Sequence, residues 1–218
     1  MEGPSRSDLV VAAFDVDGTL TRRDCVVPFL ARVAGRRALL AASLRNPWLL
    51  LSTAAGRGNR DRLKELVVGR VVRDRAHADL EALGQQFAVE QIARWLRPDT
   101  VMRLRHHQRL GHRVVLVSAS LGPYLRPLAH EVLGGIDAVL CTELEVDEVG
   151  RCTGRLVGSN CRGPEKRRRL SGWIDGRRAV IWAYGDSAGD DELLAMARHA
   201  IRVGRRPIPD EPGKGPQR

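Results

Sequence analysis

The chain has 218 residues and a formal net charge of +10, with 43% hydrophobic and 28% charged residues. This composition predicts one folded domain, or a domain with an insert, and it excludes a wholly disordered chain. It contains no apolar run of about 18 residues, so we expect no membrane-spanning helix.

Continuous apolar runs predict three strands that are buried on both faces. They cover Leu9–Phe14, Arg113–Val117 and Ala179–Tyr184. Shorter runs at 138–141 and 200–203 predict two further strands. Helical patterns lie between them, at 100–110, 124–133, 165–173 and 190–198. Strands that alternate with helices predict an α/β fold with a parallel sheet covered on both faces.

The segment from Arg23 to Trp95 has no apolar strand pattern and is rich in Ala, Leu and Arg. It predicts several helices, broken at Gly35 and around residues 46–47 and 56–59. Because this helical insert directly follows the first strand, we expect it to cover the strand ends as a cap. We therefore predict a core (8–22 and 96–204), a helical cap (23–95) and a disordered tail (205–218) rich in Pro, Gly and charge.

The three long predicted strands each end near a small or acidic polar residue. These residues are Asp15, Ser118 and Asp186. Ligands of open α/β sheets bind outside the carboxyl ends of the strands, so we expect the three side chains to form one site.

The segment Asp15–Thr21 carries the strongest chemical pattern. Asp15 and Asp17 alternate directly after a strand, and Gly18 allows a tight turn. Two carboxylates this close need a shared proton or a cation between them, which favours a nucleophile beside an acid/base with Mg²⁺. A bare Asp-x-Asp pattern also fits a solvated turn or a helix cap.

Four motifs in order resemble those of the haloacid dehalogenase-like phosphohydrolases, in the branch that includes phosphoserine phosphatase. They are DxDGTxT at 15–21, a serine after a hydrophobic strand at 114–120, a lysine in Gly163–Lys166, and GDxxxD at 185–190. The resemblance covers roughly residues 8–204 and implies a Rossmann-like core with a helical cap. It also implies a Mg²⁺-dependent phosphomonoesterase.

The resemblance assigns the reacting groups by position. Asp15 would be the nucleophile that becomes an aspartyl-phosphate, and Asp17 would protonate the leaving oxygen and then activate water. Asp15, the Val16 carbonyl and Asp186 would hold Mg²⁺, which prefers oxygen ligands.

The resemblance also assigns the groups around the phosphate. Ser118, the Ala119 backbone and Lys166 would bind phosphate oxygens. Thr19 and Asp190 would support the site, with Asp190 orienting Lys166 or a metal-bound water.

Two positions depart from phosphoserine phosphatases. Asp24 stands where they usually carry Glu, and Gly189 stands where they usually carry Asn. We therefore expect phosphoserine to be a poor substrate, with Asp24 either touching substrate or capping a helix.

The substrate class stays open between a small phosphorylated metabolite and a phospholipid monoester. Residues 160–166 resemble those of phosphatidylglycerophosphate phosphatases. The apolar segments Ala38–Leu44 and Trp48–Leu51 would either pack on each other or lie at a membrane interface beside cap arginines.

Two rival functions stay open, one within the enzyme class and one that would use the basic charge. A phosphotransferase would use the same Asp15 intermediate with an acceptor other than water. A basic nucleic-acid-binding module could keep the fold, but only 4% of the residues are aromatic and no RNA-binding motif is present. The complete DxDGT motif and the helical insert argue against a phospho-Asp receiver.

Other residues suggest ordinary roles. The four cysteines contain no Cys-x-x-Cys pair, which favours reduced packing residues in a cytoplasmic protein over disulfides or a zinc site. We expect His106 and His107 to be exposed on a helix, and the tryptophans to lie in the core or at an interface.

Overall fold

A computed structural model of the protein describes residues 9–44 and 60–208. Five strands of this part of the chain are β1 (Leu9–Phe14), β2 (Arg113–Leu121), β3 (Ala138–Thr142), β6 (Ala179–Gly185) and β7 (His199–Arg202). They form one parallel sheet in the order β3-β2-β1-β6-β7. A separate antiparallel hairpin consists of β4 (Leu144–Val146) and β5 (Cys152–Leu156). The predicted α/β class with a Rossmann-like parallel sheet is confirmed.

Helices directly follow β1, as the cap prediction requires. They are α1 (Val26–Ala34), α2 (Arg36–Leu44), α3 (Arg60–Val72), α4 (His77–Phe87), a π-helical turn (Ala88–Ile92) and α5 (Ala93–Trp95). Gly35 ends α1 with a φ of 82°, which confirms one predicted break. The breaks predicted around 46–47 and 56–59, and the segment Trp48–Leu51, lie outside the described residues.

The remaining helices lie between the later strands. They are α6 (Pro98–Arg109), α7 (Gly122–Pro127) with a π-helical turn (Leu128–Leu133), α8 (Pro164–Ile174), and α9 (Asp191–Ala195) after a 3₁₀ turn (Ala188–Asp190). Within the described ranges, no helix is long and apolar enough to cross a membrane.

The sheet separates two apolar cores, because successive side chains of a strand point to opposite faces. Ala12 and Phe14 of β1 pack on the side of the cap helices, whereas Val11 and Ala13 pack on the side of α8 and α9. Phe14 also stacks on Tyr184 of β6, with ring centroids 4.2 Å apart. Burial on both faces explains why these strands have no polar alternation.

The chain leaves the core for the cap and returns at neighbouring points. Thr21 and Leu96 pair in an isolated antiparallel bridge, and the Arg97 N–H donates to the Leu20 carbonyl at 2.8 Å. This pairing supports cap limits near residues 22 and 96, although the domain boundaries themselves stay a prediction.

Several predicted details differ from the structure. β2 continues past Val117 to Leu121, with a register shift against β3, so Ser118 lies within the strand at an irregularity. Ile208 is 8% exposed and its N–H donates to Asp99, so the predicted tail begins as part of the fold. Residues 209–218 lie outside the described part.

The histidine prediction was wrong for one of its two residues. His107 is 2% exposed, and its Nε2 lies 2.8 Å from the Tyr184 hydroxyl. Its Nδ1 lies 2.8 Å from Nδ1 of His112. His107 therefore belongs to the packed face of α6, and burial lowers its pKa to about 3. The four cysteines are buried and free.

Candidate active site

A cavity of about 860 Å³ opens at the carboxyl ends of the central strands. Asp15 follows β1, Ser118 lies in β2 and Asp186 follows β6, and all three line this cavity. The structure thus brings together three residues that are up to 171 positions apart in the chain. This agrees with the rule that parallel strands present their carboxyl ends to ligands.

Lys166 lies at the floor of the cavity, in the first turn of α8. Its Nζ lies 2.5 Å from Oδ1 of Asp15 and 2.5 Å from Oδ1 of Asp190. All three residues are at most 5% exposed. The two carboxylates raise the pKa of Lys166 against the effect of burial, so its ammonium stays charged.

Asp15 and Asp190 both contact this ammonium, but their pKa values shift in opposite directions. Burial raises the pKa of Asp15, and the Lys166 ammonium opposes that rise. Asp190 Oδ2 also accepts hydrogen bonds from Asp186 N–H at 3.1 Å, and from the Ser187 N–H and hydroxyl at 3.0 and 3.1 Å. Together with Lys166, these donors hold the pKa of Asp190 low despite its burial. Asp190 is therefore a fixed anion that positions Lys166.

Asp17 lies beside Asp15 and is held by two donors. Its Oδ1 accepts from the Cys25 N–H at 3.1 Å, and its Oδ2 accepts from the Ser120 hydroxyl at 2.8 Å. The Tyr124 hydroxyl in turn donates to Ser120 at 2.9 Å. Burial, with a smaller contribution from the negative charge of Asp24, raises the pKa of Asp17 to about 6. Such a group holds a proton closer to neutral pH than an exposed aspartate.

Two residues that are predicted to bind phosphate, Ser118 and Ala119, lie in the irregular part of β2. Ser118 is 1% exposed, and its Oγ accepts from the Ser120 N–H at 3.1 Å. The Ala119 carbonyl accepts from Lys64 and lies 3.0 Å from the Thr142 hydroxyl. Both Ser118 and Ala119 line the cavity, as the sequence predicts.

The acidic groups offer an all-oxygen donor set suited to Mg²⁺. Asp15, Asp186 and Asp190 each present an oxygen within 4.8 Å of the others, and Lys166 is the ammonium that ion-pairs with this group. Gly18 has a φ of 83°, and a Cβ there would overlap the Asp186 carboxylate. The tight turn at Gly18 therefore leaves the space that this carboxylate occupies. These residues fit a hard divalent cation.

The Val16 carbonyl, which the resemblance assigns as a metal ligand, lies in the turn after β1, and its ligand role stays a prediction. Its oxygen accepts hydrogen bonds from the Thr19 N–H at 3.2 Å and the Thr21 N–H at 2.9 Å. These two hydrogen bonds close the turn after β1. The Thr19 hydroxyl instead points to Asp186, at 3.5 Å from Oδ1.

The two unusual positions also lie at the cavity. Asp24 Oδ1 accepts from the Val27 N–H at 3.1 Å, so this side chain caps the start of α1 while lining the cavity. A Cβ at Gly189 would lie 2.8 Å from Nε of Arg162. A larger side chain at position 189 would therefore need this arginine to move.

Four further cavity residues were not predicted as site residues. Asp61 and Lys64 lie on α3 of the cap, while Asn160 and Arg162 lie on the segment before α8. Asn160 belongs to a motif region but has no predicted role, and Lys64 carries no motif. No local pattern separates such a lysine from an ordinary exposed charge on a helix, because its burial depends on residues about 55 and 96 positions away.

Known proteins resemble this chain in sequence and in structure. Residues 12–195 match the family model of haloacid dehalogenase-like hydrolases. The chain is 34% identical to Protein CicA of Caulobacter vibrioides over 197 residues, which cover 90% of this chain and 87% of that protein. It is 30% identical to phosphoserine phosphatase of a Polaromonas species over 210 residues, 92% and 81% of the two chains. The crystal structure of a protein of unknown function from Bordetella pertussis Tohama I superposes with a TM-score of 0.72 at 27% identity, covering 86% of each chain.

Proposed function

The chain belongs to the haloacid dehalogenase-like hydrolase family, and on this basis we propose that it is a Mg²⁺-dependent phosphomonoester hydrolase. The observation that carries the proposal is the buried Lys166 ammonium, 2.5 Å from Asp15 and Asp190, with Asp17 beside them. The likeness to a phosphoserine phosphatase over most of both chains supports the same activity.

In this proposal Asp15 and Asp17 divide the chemistry. The Asp15 carboxylate attacks phosphorus, an aspartyl-phosphate forms, and the bond to the ester oxygen breaks. Asp17 gives its proton to that leaving oxygen, for which its raised pKa is suited. Asp17 then takes a proton from water as the water attacks phosphorus, which releases phosphate and regenerates Asp15.

The remaining site residues position the phosphate. Lys166 and the Ser118 hydroxyl would bind its oxygens, and Asp190 holds Lys166 in place. Asp15, Asp186 and the Val16 carbonyl are the groups that would hold Mg²⁺, because both oxygens of Asp190 already accept from Lys166 and from the start of the 3₁₀ turn. The bound ion would offset repulsion between these carboxylates and the phosphate dianion.

The test compares Asp15→Asn with Asp79→Asn, an exposed aspartate on α4 of the cap. With Mg²⁺ and a panel of phosphomonoesters, we expect Asp15→Asn to fall to background turnover while the variant still folds, as circular dichroism checks. Asp79→Asn should match the wild type, and chelation should abolish its activity. Near wild-type turnover by folded Asp15→Asn would refute the nucleophile. Label from a radioactive phosphomonoester transferred to an alcohol acceptor in place of water would indicate a phosphotransferase.

The cavity suggests the kind of alcohol that carries the phosphate. Its volume of about 860 Å³ lies in the range of sites that hold drug-sized ligands. One wall consists of apolar side chains from the cap, including Val26, Leu30, Leu39, Leu63 and Val67. We propose a small phosphorylated metabolite as the substrate class, and this wall favours a phospholipid monoester as the second candidate.

Side-by-side kcat/KM values distinguish these substrates. The panel contains phosphoserine, a soluble sugar phosphate, hexyl phosphate and a phospholipid monoester. A preference for the last two would support the apolar wall as a leaving-group site, and efficient phosphoserine hydrolysis would refute our interpretation of Asp24 and Gly189. Peripheral membrane contact through the cap is tested separately, by co-sedimentation with anionic liposomes in excess salt and without it.

A further inference from the structure

Asn160 joins three parts of the molecule through one buried amide. It is 5% exposed. Its Nδ2 donates to Oδ1 of Asp61 on cap helix α3 at 2.6 Å. Its Oδ1 accepts from Nζ of Lys64, one turn further along α3, at 2.9 Å, and lies 2.8 Å from the Thr142 hydroxyl at the end of β3. Both ends of the amide are therefore in use.

The hydrogen-bond partners of Asn160 also contact the two segments that carry the proposed phosphate-binding residues, one beside Ser118 and one before Lys166. Lys64 also donates to the Ala119 carbonyl, directly after Ser118. The Thr142 hydroxyl lies 3.0 Å from the same carbonyl and accepts from the Cys161 N–H at 3.1 Å. Cys161 begins the turn that leads to Lys166. A displacement of α3 would thus act on the segment that contains Ser118 and on the start of α8.

We propose that Asn160 is a positioning residue that ties the cap helix α3 to the phosphate-binding side of the active site. The position of the cap then sets the placement of Ala119 and of the segment before Lys166. This inference rests on the proposed function, because Ser118 and Lys166 are the groups that would bind phosphate. Asn160 itself acts through its neighbours.

The chemistry of the Asp61–Asn160 pair provides a direct test by exchange. Asn160→Asp places two carboxylates at a 2.6 Å contact, which repel and push α3 away. Asp61→Asn keeps an oxygen that can accept from Asn160. The double variant Asp61→Asn/Asn160→Asp restores one donor and one acceptor in the reverse direction, and the new carboxylate at position 160 still accepts from Lys64 and Thr142.

We expect Asn160→Asp to lower kcat by about 10²-fold with little change in KM, because small misplacements of reacting groups have effects of that size. Asp61→Asn should retain more kcat than Asn160→Asp, because its amide oxygen still accepts from Asn160 although the 3.7 Å ion pair with Arg162 is lost. The double variant should recover most of the lost kcat. The matched control is Gln85→Ala, which removes an exposed hydrogen bond of 3.0 Å between cap and core at Glu131, remote from the cavity lining. Its kcat should be unchanged.

Amide hydrogen exchange of α3 supplies a readout that needs no activity. Exchange in 60–72 should be faster in Asn160→Asp and return to the wild-type rate in the double variant. Failure of the double variant to recover kcat, or unchanged α3 exchange in Asn160→Asp, would overturn the inference. If the wild type hydrolyses no phosphomonoester, the proposed function fails, while the exchange rates still decide whether Asn160 ties α3 to the core.

Discussion

Replacing Lys166 by methionine tests the electrostatics of the active site. The side chain is almost fully buried, and its ammonium lies 2.5 Å from two carboxylates. At an effective dielectric constant of about 20, each contact contributes about 7 kcal/mol of Coulomb attraction before desolvation is counted. Removing the cation leaves Asp15 and Asp190 buried without their counterion. We therefore expect Lys166→Met to lose about 3–5 kcal/mol of unfolding free energy.

The assay is urea denaturation followed by circular dichroism at neutral pH in the presence of a chelator, so that no added metal replaces the lost charge. The matched control is Arg167→Met on the next residue of α8, whose exposed side chain lies 4.0 Å from Glu192. Because exposed ion pairs contribute about 0–1 kcal/mol, this control should be close to the wild type. The activity of Lys166→Met should fall by about 10²–10³ in kcat/KM.

A Lys166→Met protein as stable as Arg167→Met would refute this reasoning. It would mean that Asp15 and Asp190 do not depend on the ammonium, either because they take up protons at little cost or because water reaches them. An unchanged kcat/KM in a folded Lys166→Met protein would remove Lys166 from the phosphate-binding groups, whatever its effect on stability.

Three further outcomes follow from single side chains. His107 stays neutral in the fold because its pKa is about 3, below that of an unfolded histidine, so the free energy of unfolding should fall as pH drops from 6.5 toward 3. In His107→Gln the loss of unfolding free energy between pH 7 and 4, measured by urea denaturation, should be smaller by about 1–3 kcal/mol. Equal pH slopes in the two proteins would contradict this assignment. Gly18→Ala should destabilise the fold by about 1–2 kcal/mol and lower kcat/KM, because φ is positive at this position and the new Cβ would overlap Asp186. Unchanged thermal unfolding and unchanged kinetics would refute this expectation. Asp24→Ala should lose about 1 kcal/mol of unfolding free energy because the helix cap is removed, while Asp24→Asn should keep most of this stability. A KM change in Asp24→Asn without a stability change would assign Asp24 to substrate contact.

The sequence alone determined the parts that depend on local pattern. β1 begins and ends where its apolar run does, because a central parallel strand is buried on both faces and no polar residue can interrupt it. The motifs at Asp15, Ser118, Lys166 and Asp186 can also be recognised in the sequence, since each lies at the end or start of an element with a clear local pattern. Parallel strand topology then brings them to one edge of the sheet.

Contacts between distant segments were decided only by the tertiary structure. The hairpin β4–β5 has strands of three and five residues, too short to show a periodic signal. His107 is a polar residue that we expected on the exposed side of its helix, but it lies on the buried face of α6 with Thr100 and Leu104 and contacts Tyr184, 77 positions away. Lys64 and Asn160 acquire their contacts only when α3 packs against Ala119 and Thr142, across sequence separations of 18 to 96 residues. The burial of such a polar group depends on which secondary-structure elements pack together, and helical or strand periodicity in the sequence does not specify that packing.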